Sequence, residues 1–298
     1  MKKNLLSAIT LAGGILLTAS LASCSGNKTT EKGGTLDLTK QIEAAYKPMV
    51  TDTVESVKYT LNGKETPATL IQKSFKGDSA EIYFTTVAGT IDSYPATNAY
   101  VAGKLRELYG YVTDTTPVSG EVTSSAQLDG AIQALGAQFM QEVVPVYQES
   151  VMPVFNLTAN LQPAWADNAV VTYSVFDNYF TGGTHGMSDF YYETIDPATG
   201  NVIDFEHLIK ADKASAFREQ LVNTIAESKN MSVAEYLKSV NDYLMPEKGQ
   251  EVTVDNFPVF HIGLIAEGLA VVYPPYSIAP YADGQPAFII PAVDYVAL

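Results

Sequence analysis

The chain has 298 residues, 46% of them apolar, with 18 basic against 33 acidic side chains and a net charge of −15. That acidity argues against nucleic acid as a partner, because phosphate backbones would be repelled, and it steers cationic partners toward the surface. Cys24 is the only cysteine, which leaves no thiol pair for a disulfide and no thiolate set for a structural metal.

At the N-terminus, Lys2 and Lys3 precede an apolar stretch over residues 5–17 that carries Gly13 and Gly14. These are the positive n-region and the h-region of a secretion signal. The apolar run is short for a membrane span and leads into Leu21-Ala22-Ser23-Cys24. That tetrapeptide resembles a bacterial lipobox, so residues 1–23 are expected to be cleaved and Cys24 to carry the lipid, including palmitate. Residues 24–34 are polar and glycine-containing, and they are expected to be a flexible tether. With no acidic cluster directly after Cys24, the expected location is the outer membrane, facing the periplasm. Loss of the two signal lysines brings the mature charge to about −17.

Residues 54–61 and 81–87 are rich in β-branched and aromatic residues and are flanked by Asn62-Gly63 and Gly77-Asp78, which predicts antiparallel strands. From Ser125, Leu128, Ile132, Leu135, Phe139 and Val143 recur at helical spacing, predicting a helix capped by Ser124 or Ser125 and stopped by Pro145. Strands follow at 154–161 and 169–180, with Trp165 in the loop between them. A glycine-rich loop, Gly182-Gly183-Thr184-His185-Gly186, precedes a strand at 190–195, and the turn at 196–200 leads into another at 202–205. Two helices come next, one with Phe217, Leu221 and Ile225 on a face, the other starting at Ser232 and ending at Pro246. Strands at 259–262, 269–273 and 288–290 close the chain. Strands on both sides of a helical pair give an α+β fold, with antiparallel sheets, packed helices and two subdomains.

The run YFTGGTHGMSDFYYETIDPATGNVIDFEHLI at residues 179–209 resembles the start of the domain of unknown function 3298. The run DNFPVFHIGLIAEGLAVVYPPYSIAPYADGQPAFIIP at 255–291 resembles its end, and residues 51–178 are similar in place and pattern to the partner family 4163. On this basis the mature chain divides into an N-terminal 4163-like region, 35–178, and a C-terminal 3298-like domain, 179–298. The resemblance implies an extracytoplasmic α+β module. Relatives include a lysozyme-sensing anti-sigma factor, whose outward-facing module binds lysozyme, and a peptidoglycan deacetylase, where the module accompanies a separate catalytic domain.

Catalytic signatures are sparse. His185, His207 and His261 are too far apart in sequence for a helical zinc pair, and neither a nucleophile elbow nor a phosphate loop is present, so no catalytic residue, metal or cofactor is expected. The binding candidates are Gly182, Gly183 and His185, with Asp177, Asp189 and Glu193 nearby, and Tyr276 and Tyr281 among the prolines of the C-terminal segment. His185 reads either as a hydrogen-bonder holding the hairpin or as a ligand-facing group. The two tyrosines either stand at the surface or pack on the sheet with hydroxyls capping backbone groups. The expected function is that of a lipid-anchored envelope protein binding a protein, such as lysozyme, or a cell-wall ligand. The alternative is an envelope glycan hydrolase with its site around His185.

Overall fold

A computed structural model describes residues 33–45, 52–113, 116–117, 120–244 and 251–297. The expected signal, the expected lipidation site Cys24 and Pro246 lie outside the described residues. The chain opens with β1 (Gly34–Thr35) and α1 (Thr39–Ala45), then enters a six-stranded sheet at β2 (Thr53–Leu61), β3 (Lys64–Lys76) and β4 (Ile82–Ile91). Asn62 and Gly63 both adopt positive φ, 47° and 73°, which gives the β2–β3 hairpin a turn whose twist matches its strands. β3 and the two-residue β1 are strands that the sequence reading passed over.

A crossover carries α2 (Ala96–Thr113), α3 (Ser125–Gln138), a π-helical turn (Phe139–Val143) and α4 (Val144–Gln148). It returns to β5 (Phe155–Ala166), which pairs with β4 in parallel. The other strand pairs of both sheets are antiparallel as expected, and this one pair is parallel because a connection this long and helical suits a parallel neighbour. Ser124 caps α3, accepting from the Gln127 N–H at 3.3 Å, while Gln127 Oε1 reaches back to the Thr123 N–H at 2.8 Å. Pro145 does not stop the helix. Its ring would collide with the carbonyl four residues back, but the preceding π turn, in which the Val144 N–H bonds to Phe139 O, widens the backbone there.

β6 (Val171–Phe180) and β7 (Met187–Ile195) complete the sheet in the order β2-β3-β4-β5-β6-β7. Trp165 lies within β5 rather than in a loop. The β5–β6 register shifts between Pro163 and Trp165, a bulge that accommodates a proline without a donor. The boundary expected at 178/179 falls inside β6, since both residues are held in one ladder with β5 and β7.

After a bridge between Ile195 and Val202, Asp204 caps α5 (Phe205–Leu208) by accepting from the His207 N–H at 3.1 Å, so the strand expected at 202–205 gives way to a helical turn. α6 (Ala214–Ser228) and α7 (Val233–Leu244) follow, then β8 (His261–Ile265), β9 (Gly268–Val272), a 3-10 turn (Tyr281–Asp283) and β10 (Ala287–Ile290). These strands form a second sheet, β1-β10-β9-β8. Gly34, expected in the tether, pairs with Ile289, and a Cβ on Gly33 would lie 2.4 Å from Thr224 Oγ1, so the tether's end is packed against the fold.

Two cores result, and the α+β reading stands. Phe84, Tyr109, Phe139 and Phe155 anchor the first, between the large sheet and its helices, and Phe217, Leu221, Tyr236, Phe257 and Tyr273 anchor the second. Each such side chain contributes roughly 1.5–3 kcal/mol on burial. The sheets meet at β7, where the Leu264 N–H donates to Thr194 Oγ1 at 2.9 Å. Gly263 is required there, because a Cβ would stand 2.5 Å from Tyr192 Cβ. Among the described residues, no helix is long and apolar enough to cross a membrane.

Candidate functional site

The β6–β7 hairpin ends in the expected glycine-rich loop. Gly182 and Gly183 take φ values of 98° and 106°, which L side chains avoid, and they form an open tip with nothing within 4 Å of a notional Cβ. The His185 Nδ1 lies 2.9 Å from Gly186 O and, since a carbonyl only accepts, donates to it. Nε2 faces the Tyr276 hydroxyl at 3.5 Å.

The tertiary structure brings His185 together with both tyrosines. The rings of His185 and Tyr281 stack at 4.7 Å and 22°, and those of Tyr281 and Tyr276 at 5.4 Å and 26°. Tyr276 is 47% exposed and Tyr281 37%, so the stack is a shelf on the surface. Both sequence readings of Tyr281 hold in part, because its hydroxyl donates to Gly186 O at 3.4 Å while its ring stays exposed. Tyr276 has φ 68°, a left-handed conformation that costs a non-glycine residue roughly 1–2 kcal/mol. The bonds from the Ser277 N–H to Pro274 O at 3.1 Å and from the Tyr243 hydroxyl to Tyr276 O at 3.2 Å hold it there.

Behind the shelf lies a buried polar face. Alternation along β6 and β7 puts Asp177, Asp189, Tyr191 and Glu193 on the side covered by α2, with Asp177 and Asp189 directly opposite in register. Burial, reinforced by the charge of Asp189, pushes the Asp177 carboxyl up to about 8. Burial raises Asp189 to about 6, against the pull of its hydrogen bond from Gln285 Nε2. Glu193 accepts from the Tyr100 hydroxyl at 2.8 Å and from Lys104 Nζ at 3.0 Å, and Lys104 also pairs with Glu107 at 2.9 Å. Burial alone would depress the Lys104 ammonium, but these carboxylates outweigh it and hold its pKa above the ordinary value.

On the other side of Glu193 lies a cleft of about 180 Å³ beside the second core, lined by residues including Phe205, Arg218, Phe260 and His261. The His261 ring stacks on Tyr191 at 3.7 Å, and burial, then the charge of Lys104, lowers its pKa to about 4. Among the described residues, no three of His, Cys, Asp and Glu are placed to share a metal ion.

The sequence singled out His185, the acidic trio and the tyrosines, but not Lys104, Tyr191, His261 or Gln285. The period-two pattern Asp189-Tyr191-Glu193 was the available signal for Tyr191. Lys104 is brought in by a helix almost ninety residues upstream, and Gln285 reaches Asp189 only through the second sheet.

Residues 206–292 match a family described as protein of unknown function, DUF3298. No curated protein matches the chain. A DUF3298 family protein from Pseudomonas aeruginosa is similar in structure with a TM-score of 0.52, at 18% identity over 76% of this chain and 91% of that one. A DUF3298 family member from Bacteroides fragilis gives a TM-score of 0.51, at 15% identity over 82% of this chain and 92% of that one. At these identities the likeness concerns the fold alone. Tyr276 and Tyr281 fall within the matched segment, while His185 and the carboxylate pair precede it, so the site lies where the preceding hairpin meets that segment. Residues 206–292 of the chain are a DUF3298 domain.

Proposed function

We propose that this is a lipid-anchored cell-envelope protein that binds a protein or cell-wall ligand on the His185–Tyr281–Tyr276 shelf. The observation that carries it is the shelf itself: three exposed, stacked rings, one held in a costly backbone conformation, form a rigid surface suited to stacking on sugars or inserting into a partner. Anchoring through Cys24 at the outer membrane, facing the periplasm, is supported by the lipobox and the polar tract after it. The acidic surface favours a cationic partner, and lysozyme is the specific candidate through the resemblance to the anti-sigma and deacetylase modules and the 4163-like N-terminal region.

The test is calorimetry of the protein with lysozyme and with peptidoglycan fragments. A stoichiometric complex should survive at a salt concentration of about 0.15 M, where long-range attraction is screened, and should be lost in Tyr276→Ala and Tyr281→Ala. Heat seen only at low salt, or tyrosine variants that bind as the parent does, would refute this reading.

A second reading, an envelope glycan hydrolase, is favoured by one observation. Asp177 and Asp189 sit side by side with pKa values of about 8 and about 6, so at neutral pH one is an acid and the other a base. This moves the hydrolase hypothesis from His185 to the carboxylate pair. Release of reducing sugar from peptidoglycan, abolished in Asp177→Asn and in Asp189→Asn, would establish it; no release by the parent would end it.

A further inference from the structure

Two polar groups behind the shelf have no partner. Tyr191 is 4% exposed and Asp177 7%, yet among the described residues neither the phenol hydroxyl nor the carboxylate makes a hydrogen bond or an ion pair. Neither oxygen is among the fully buried side-chain atoms left unpaired, so each keeps a contact with solvent through which a ligand can reach it. They face the same space: Asp177 stands opposite Asp189, and the Tyr191 hydroxyl lies in the field of Glu193, Asp177, Asp189 and Glu107. The nearby Lys104 ammonium is already held by Glu107 and Glu193.

Two carboxylates and a phenol oxygen offer three acceptors, which is what the three donors of a primary ammonium require. A divalent metal is the poorer fit, given that no three metal-ligating side chains converge among the described residues. Asp189 is partly exposed, and Gln285, bonded to it, follows Tyr281 by four residues, which ties the carboxylate pair to the hairpin end. We propose that Asp177, Asp189 and the Tyr191 oxygen form a receptor for a primary ammonium at the tip of a lysine-type side chain, carried by the ligand that docks on the ring shelf. The proposal rests on the binding reading above and names the chemistry of its ligand.

The proposal links binding to protons. The groups facing Asp177 are Asp189, Tyr191 and Glu193 on β7, Lys104 and Glu107 on α2, and Tyr179 on its own strand; His261 on β8 stays neutral, being buried. Because burial keeps Asp177 protonated up to about 8, an arriving ammonium displaces that proton at neutral pH. Affinity therefore rises with pH, about tenfold from about pH 6 to about pH 7.

The experiment is a calorimetric or NMR titration of the purified protein with N-acetyl-lysine N-methylamide, with the neutral norleucine analogue and methylammonium as controls. The lysine analogue should bind, more tightly at the higher pH. Asp177→Asn and Tyr191→Phe, both close to isosteric, should keep the parent's fold by circular dichroism and each weaken binding by about tenfold or more. The proposal is overturned if no binding is seen at millimolar concentration, if the norleucine analogue binds as well, or if either variant binds like the parent. The two readings fail separately. Loss of envelope-ligand binding in Tyr281→Ala, with a lysine analogue that never binds, sinks only the ammonium site. A lysine analogue that binds through Asp177, with a silent Tyr281→Ala, sinks only the shelf.

Discussion

Replacing Asp177 by Asn removes one titration from the folded protein and changes little else in shape. In the parent, the folded state holds the Asp177 proton up to about 8, whereas the unfolded chain releases it near the ordinary value of 3.8. The folded pKa is thus the higher of the two. The stability linked to this group is fully present below the unfolded pKa and is lost as pH rises through the folded one. Each pH unit inside that window costs the parent about 1.4 kcal/mol, so between about pH 5 and about pH 7 it should lose roughly 3 kcal/mol that the variant keeps. The introduced amide, if left unpaired, costs about 1–3 kcal/mol, but it does so at both pH values and cancels in the comparison. Urea unfolding of both proteins at the two pH values measures the quantity directly. A variant-minus-parent difference that is the same at both, within about 0.5 kcal/mol, would show that Asp177 ionises freely in the folded protein and would refute the reasoning.

Two other substitutions test different parts of the chain. Cys24→Ala should abolish incorporation of labelled palmitate and release the protein from membranes, with its thermal transition unchanged, because anchoring comes from the buried acyl chains; label retained by the variant would rule out the lipobox. Lys104→Met should destabilise by about 3–5 kcal/mol by stranding the buried Glu193 carboxylate, and adding Glu193→Gln should restore most of the loss. A single variant within about 1 kcal/mol of the parent in chemical denaturation would show that the pair is solvated.

The elements that the sequence made legible were those whose signals are local. The apolar spacing from Leu128 to Val143 marked α3, Asn62-Gly63 marked a hairpin, and Ser232 marked the start of α7, because caps, turns and amphipathic faces depend on residues a few positions apart. His185 stood out for the same reason, set among glycines in a loop. What the sequence misplaced were points where a long-range partner overrode a local rule. Pro145 continues a helix because a π turn makes room, Pro163 stays in a strand because β6 shifts register around it, and Gly34 leaves the tether because β10 offers an open edge. The site was legible only as separate pieces. Period-two alternation put Asp189 and Tyr191 on one face of β7, but only the β6–β7 register set Asp177 against Asp189, only α2 brought Lys104 to Glu193, and only the return of the chain through the second sheet laid Tyr281 and Tyr276 on His185, about ninety residues away. Those contacts are fixed by packing between elements distant in sequence, and no short window of residues encodes them.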